Sequence, residues 1–221
     1  NVLRLSGIKT TEKMRIVADR QQLARVDWDM DDINADFFDI LTKKIAKQIK
    51  SVNGVIISDY AKGVCSEAFL KKVIKISHDN NIPIFIDPKG NNWKKYEHAN
   101  LITPNIKEAE TILGQKLNDD MDFQKAGEKI CSKFHIESCL ITRGSDGMSF
   151  FSKDKSFHLK SNAKEIYDVS GAGDTVISAM VTGLIMDLSY EQAAEFSNAA
   201  AGIVVGHIGT SAITIRELLN I

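Results

Sequence analysis

The sequence predicts an α/β fold: a doubly wound, mostly parallel sheet with helices on both faces. Three observations lead to it. Short β-branched runs alternate with longer amphipathic stretches. Each run ends in polar or special-geometry residues, where parallel sheets open to ligands. The stretch Asp168-Val169-Ser170-Gly171-Ala172-Gly173-Asp174 then leads into the apolar run Thr175-Val176-Ile177-Ser178-Ala179-Met180-Val181, which reads as a helix.

After a polar start over 1–11, Lys13–Ala18 and Gln22–Asp27 alternate as half-exposed strands do, and read as a hairpin. Alternation puts Lys13 and Arg15 on one face. Such a ribbon could cover a ligand and offer cations to a phosphate, or be a solvated edge whose charges discourage aggregation. Asp31 to Asn34 open a helix running to about Lys50, with Ile33, Phe37, Leu41, Ile45 and Ile49 as its apolar stripe. Gly54–Ser58 is a buried strand that ends at Ser58-Asp59-Tyr60-Ala61-Lys62-Gly63, and a helix from Ser66 to about Asn80 follows. Pro83–Ile86 ends at Asp87-Pro88-Lys89-Gly90, and Leu101-Ile102 runs into Thr103-Pro104-Asn105. Helices then cover about 105–113 and 122–134, with Gly114 as a C-cap. Ser138–Ile141 ends at Thr142-Arg143-Gly144-Ser145-Asp146-Gly147, and Met148–Phe151 with Ser156–Leu159 forms a hairpin. The helix after the Asp168–Asp174 stretch runs to about Met186, and another spans Tyr190 to about Val205. A turn covers 206–211, and Thr214 with Glu217 caps a last short helix.

The 221 residues, 43% hydrophobic, suit one domain over 1–221. Lys+Arg 28 against Asp+Glu 29 gives a net charge of −1, so no global basic field points to nucleic acid or an anionic membrane. Cys65, Cys131 and Cys139 are odd in number and lack metal-ligand spacing, which fits reduced thiols in a cytoplasmic protein. His78, His98, His135 and His158 are scattered and suggest no metal cluster. No long apolar run or signal-peptide pattern is present, and a start at Asn1 rather than Met places the true N-terminus upstream.

The chemistry concentrates at Gly171-Ala172-Gly173-Asp174. Small residues let backbone N–H groups converge on an anion, and the helix that begins there points its positive end at the same spot. Asp174, in the first turn, can take a hydroxyl proton while those groups hold the charge being transferred. The same residues could instead cap a helix that only packs in a core. The four polar strand ends, Ser58/Asp59, Asp87/Lys89, Asn105/Glu108 and Thr142/Arg143/Gly144, argue for one crevice lined by successive loops.

The string Asp168-x-Ser170-Gly171-Ala172-Gly173-Asp174, with Ser178-Ala179-Met180-Val181, closely resembles the C-terminal signature of the PfkB/ribokinase family of sugar kinases. The resemblance implies a ribokinase-like fold with the 12–27 ribbon as a lid. It also implies ATP and Mg²⁺, Asp174 as general base, the Gly171-Ala172-Gly173 backbone as anion hole, and a monovalent cation such as K⁺ near Asp168 and Ser170. Asn105-x-x-Glu108 matches the motif the family uses near nucleotide phosphates and magnesium, although Asn at N-cap and Glu at N3 is also a capping box. Thr142, Gly144 and Gly147 resemble the nucleotide-side loop, or a plain glycine turn. Asn198 matches the position that meets adenine, or is a buried helical Asn satisfied by backbone.

Ser58–Gly63, Asp87–Gly90, Arg15–Asp27 and Val204–Thr210 look most like the branch that phosphorylates D-glycero-β-D-manno-heptose 7-phosphate in lipopolysaccharide core synthesis. That branch implies Asp59, Lys62, Lys89, Lys13 and Arg15 around the sugar phosphate, and no task for His207, where lysine is usual. The family's N-terminal Gly-Gly sugar-binding portion has no counterpart, so the chain resembles the C-terminal two-thirds of such a kinase. Any nucleotidyltransferase domain would follow Ile221. Another kinase of the family, acting on ribose, fructose phosphate or a nucleoside, and a non-catalytic nucleotide-binding or dimerisation module remain alternatives; the ribbon could pair two copies.

Overall fold

The computed structural model describes residue 2 and residues 10–18, 21–29, 35–163, 166–207, 209 and 211–218. Strands β1 (Glu12–Ala18) and β2 (Gln21–Trp28) pair antiparallel as a two-stranded sheet of their own. Helix α1 (Ala35–Gln48) continues into a short 3₁₀ turn, Ile49–Ser51. The expected opening at Asp31–Asn34 lies outside the described residues. Then come β3 (Val55–Ser58), α2 (Glu67–Asp79), β4 (Ile84–Asp87), β5 (Leu101–Ile102), α3 (Ile106–Leu113) and α4 (Asp120–Phe134). The chain continues with β6 (Ser138–Thr142), β7 (Met148–Ser152), β8 (Ser156–Leu159), α5 (Ala172–Ile185), α6 (Tyr190–Val204) and α7 (Ile215–Leu218).

Among the described residues the main sheet has six strands in the order β3-β4-β5-β6-β7-β8. The first four run parallel and the last two pairings are antiparallel, because tight hairpins replace the crossovers after β6 and after β7. Side chains of the central strands go alternately to two cores. Ile84, Ile86, Ile102, Cys139, Ile141 and Phe151 pack with α2 and α4 on one face, where Leu70, Val73, Phe123 and Ile130 meet Trp93 and Tyr96. Phe85, Leu101, Leu140 and Phe150 pack on the other face against Val176, Ile177, Met180, Ala193 and Ala194 of α5 and α6. Burial on both faces explains why these strands read as near-continuous apolar runs. It also matches the expected helix–sheet–helix layering.

Local signals fix the helix ends. Ser66 caps α2 by accepting from the Phe69 N–H. Asn105 and Glu108 form a full capping box on α3, which ends at Gly114. Helix α4 starts two residues before the sequence reading, because Asp119 accepts from the Asp122 N–H at 2.8 Å and so serves as N-cap. Thr214 and Glu217 bond reciprocally as expected.

Helix α4 approaches the sheet most closely at Gly127. A Cβ there would overlap the Phe151 ring and lie 2.7 Å from the Phe151 Cβ. Gly127→Ala is expected to destabilise the fold by about 1–3 kcal/mol, although alanine favours helix by about 1 kcal/mol. Thermal unfolding checks this, and a wild-type melting temperature would show that the helix can lift off the ring freely.

Candidate active site

The loop entering α5 makes its turn at Gly171, whose φ of 84° lies in the left-handed region that glycine adopts without penalty. The Ala172 N–H bonds the Val169 carbonyl, and the helical ladder begins with Thr175 N–H to Gly171 O at 2.9 Å. The first-turn N–H groups of Gly173 and Asp174 therefore precede the ladder. A Cβ on Gly173 would meet nothing within 4 Å, so that end of the helix is open. Of the three expected anion-hole residues, Ala172 has its N–H already bonded within the loop.

The Asp174 carboxylate is held from the end of β3. Tyr60 Oη donates to it, lying 2.9 Å from Oδ2 and 3.1 Å from Oδ1, and Ser58 Oγ donates to Oδ1 at 3.2 Å. The Tyr60 hydroxyl is pushed above its ordinary pKa by partial burial first and by the Asp174 bond second, so it stays a donor. Asp59, expected to meet the substrate, has a side chain only 1% exposed and is engaged within the protein. Its carboxylate takes Lys95 Nζ, the Tyr96 hydroxyl at 2.6 Å and the Ala61 N–H at 2.7 Å. Lys62 pairs with Asp29 at 2.5 Å and reaches Asp27 at 3.9 Å, so it ties this loop to β2 and the residue after it.

A cavity of about 570 Å³ opens beside these loops, lined in part by Asp87, Lys89, Asn105, Glu108, Arg143 and Gly173. Lys89 Nζ lies 2.6 Å from Glu108 Oε1, while Oε2 of Glu108 accepts the Asn105 N–H. Burial pushes the Asp87 carboxyl up to about 7; the charges of Glu108 and Asp174 push the same way and Lys89 opposes them. A second cavity, about 170 Å³, brings together Thr142, Gly144, Gly147, Ala172, Gly173 and Asn198 with apolar neighbours such as Val176 and Val205. Gly147 has φ 92°, and the backbone of residues 159–161 crosses where its Cβ would be. Asn198 turns its amide to the Lys160 carbonyl at 2.6 Å, which is the backbone satisfaction its helical position also predicted.

The ribbon presents its charged face to these loops. Lys13 Nζ sits 4.9 Å from the centroid of the Tyr60 ring, and the Arg15 charge acts on Asp168. Asp168 is held below the usual carboxylate range by the Ser170 N–H at 2.8 Å, then by the Ser170 hydroxyl, with the Gly209 N–H adding to these. The opposite face of the ribbon carries Met14, Ile16, Val26 and Trp28, all exposed. The cysteines are free among the described residues. Two histidines that looked scattered meet: the His98 and His135 rings lie 5.5 Å apart, and His78 bonds the His98 carbonyl. Among the described residues no group of three His, Cys, Asp or Glu has metal-binding geometry, and no helix is long and apolar enough to cross a membrane.

Residues 2–216 match the model for the pfkB family of carbohydrate kinases. The chain belongs to that family. It is 39% identical over all 221 residues to the bifunctional protein HldE of Haemophilus influenzae (strain PittEE), and 40% identical over 210 residues to that of Helicobacter pylori (strain J99). It spans about half the length of these relatives, 46% and 45%. The fold matches Arabidopsis thaliana ribokinase complexed with ribose and ATP, with TM-score 0.79, 18% identity, and coverage of 97% of this chain and 69% of that one. It also matches Escherichia coli phosphofructokinase-2 in complex with substrates and products, with TM-score 0.77, 18% identity, and coverage of 95% and 68%. The architecture is therefore ribokinase-like.

In this pfkB-family chain, the sequence places Ser58 at a strand end lining the crevice but does not show Tyr60, Lys95 and Tyr96 as parts of the site. Tyr60 stood inside a quoted strand-end motif, but nothing local showed that it would meet a carboxylate 114 residues away. Asp87 was noted as a strand end and not as a group titrating near neutrality.

Because the folded Asp87 carboxyl titrates near 7 rather than at its ordinary 3.8, the stability it contributes is present in full below about pH 4. That contribution is lost as pH rises through about 7. Asp87→Asn should therefore be more stable relative to wild type at pH 8 than at pH 5. Denaturant unfolding at both pH values, without nucleotide or metal, checks this; an equal difference at the two would contradict it.

Proposed function

We propose that the chain is the kinase portion of an ATP-dependent enzyme that phosphorylates the anomeric hydroxyl of D-glycero-β-D-manno-heptose 7-phosphate. The product is the 1,7-bisphosphate, a precursor of the lipopolysaccharide core. The observation that carries this reading is the Asp174 carboxylate, fixed by two hydroxyl donors at the open, positive end of α5. The full-length match to HldE supports the choice of sugar.

The heptose hydroxyl gives its proton to Asp174 as its oxygen attacks the γ-phosphorus. The bond from that phosphorus to the β–γ bridging oxygen breaks, ADP leaves with the electron pair, and the proton passes from Asp174 to solvent. The N–H groups of Gly173 and Asp174 face the charge that moves, in a place where the helix dipole adds to their effect. Thr142, Gly144, Gly147 and Asn198 border the smaller cavity, which suits the nucleoside, and Asn105 and Glu108 border the larger one, which suits the phosphates.

The carboxylates of Glu108 and Asp87 fit a Mg²⁺ ion, since burial first and the charges of Glu108 and Asp174 second hold a proton on Asp87 up to about pH 7, and a cation would offset them. Bound there, Mg²⁺ would neutralise phosphate charge. Asp168 and Ser170, where two loops meet, would hold a monovalent cation such as K⁺. On the sugar side, Lys13 and Arg15 of the ribbon and Lys89 supply cations for the 7-phosphate, with the ribbon acting as a lid. Lys62 and Asp59 keep the loop beneath it in place. The apolar outer face of the ribbon, Met14, Ile16, Val26 and Trp28, would pair two copies as a homodimer. A substrate such as ATP puts the enzyme in the cytoplasm.

ADP release by the full-length protein, with heptose 7-phosphate compared against unphosphorylated heptose, ribose and fructose 6-phosphate, tests the substrate. Release with heptose 7-phosphate alone is expected, and preference for another sugar would overturn the choice while leaving the mechanism. Asp174→Asn should retain ATP binding and lose about 10²-fold or more in kcat. Near-normal turnover would remove Asp174 from the role of base.

A further inference from the structure

We propose that Tyr60 is a positioning residue that orients Asp174 and couples it to the ribbon, so that base and lid are linked through one side chain. The inference rests on the reading of Asp174 as base. An aspartate in an exposed first helical turn has free rotamers unless something fixes it. Here both fixing groups come from the end of β3. A phenol has one proton, and Tyr60 shares it between the two carboxylate oxygens at 2.9 and 3.1 Å, while Ser58 adds its own at Oδ1. Oδ2 thus receives only part of one donor and keeps lone-pair capacity for a substrate hydroxyl.

The turn behind Tyr60 is built to hold it there. Ala61 has φ 53°, a left-handed conformation that is unfavourable for an L-residue. The Ala61 N–H is kept by the buried Asp59 carboxylate at 2.7 Å. On its other side the Tyr60 ring carries Lys13 of β1 at 4.9 Å, and Lys62, two residues on, pairs with Asp29 just beyond β2. Four elements set the charges around the phenol: Lys13 on β1, Ser58 at the β3 end, Asp87 at the β4 end and Asp174 on α5. Movement of the ribbon is thereby felt at the base through a ring and its hydroxyl.

The two halves of this device separate by substitution in the full-length protein. Tyr60→Phe keeps the ring and the Lys13 contact and removes only the donor. It should lower kcat about tenfold, the low end for a bond to a charged group, and leave the KM for ATP unchanged. Tyr60→Leu also removes the ring, and should raise the KM for the sugar phosphate. Lys13→Met should raise that KM in the wild-type background and raise it by a smaller factor in Tyr60→Leu, where the ring contact is gone and only the direct charge is lost. Wild-type kcat in Tyr60→Phe, or an undiminished Lys13→Met effect in Tyr60→Leu, would overturn the proposal. Asp174→Asn, assayed alongside, keeps the two readings apart: turnover retained there sinks the base itself. Turnover lost there with Tyr60→Phe unaffected sinks only the tether. The near-isosteric Tyr60→Phe keeps the test valid if Tyr60→Leu folds poorly.

Discussion

Taking a carboxylate and an ammonium out of water costs several kcal/mol per ion, and the pair recovers that only when its geometry is close and every remaining valence is met. Asp59 and Lys95 satisfy that condition at the mouth of the sheet. The Tyr96 hydroxyl donates to Asp59 and accepts the Lys89 N–H at 3.0 Å, so one phenol fastens the loop after β3 to the loop after β4. The groups that form the site are carried on those two loops: Ser58, Tyr60 and Lys62 on the first, Asp87 and Lys89 on the second. Breaking such a pair by removing one partner typically costs 3–5 kcal/mol, because the other charge stays buried and alone. The cluster joins the two loops that border the larger cavity.

Around that cluster negative charge is placed unequally. Asp174 lies at the positive end of α5, where a helix dipole favours an anion. Asp87 is mostly buried and lies near other carboxylates with Lys89 to offset them, and burial first and those charges second raise its proton affinity. Lys89 already serves Glu108 at 2.6 Å. The larger cavity is thus short of positive charge on its acidic side, and open backbone N–H groups face it from the α5 side. Both features suit the proposed binding of a phosphate chain with its cation.

Much of this was legible in the sequence, for reasons that differ by element. Strand β4 was legible because burial on two faces leaves a continuous apolar run, whereas β3, read as buried from its β-branched run, is the edge strand of the described sheet and leaves Ile56 exposed. Caps at Ser66, Asn105, Ser189 and Thr214 were local chemistry and were read or implied locally. The Asp168–Asp174 string named its own neighbourhood. Long-range pairings were not legible. That Lys95 would neutralise Asp59 across 36 residues, or that Tyr60 would reach Asp174, depends on how loops converge over the sheet edge. Asp59 and Lys62 read as substrate groups in the sequence and have partners within the protein in the structure, because a charged loop residue looks the same in sequence whether its partner is a ligand or the protein. Asn198 carried both readings, and its amide was found on a backbone carbonyl.

The strand order carries a further consequence for how the molecule is made. From β3 to β8 every new strand lies beside the one synthesised just before it, so the sheet can grow by addition at one edge as the chain leaves the ribosome. No strand must wait for a distant partner. Helices α5 and α6 follow the strands and cover the face that β4 to β7 have laid down, with α5 delivering Asp174 to hydroxyls that the end of β3 set out more than a hundred residues earlier. On the reading of Asp174 as base, a nascent chain that has built this sheet but has not yet added α5 is inert.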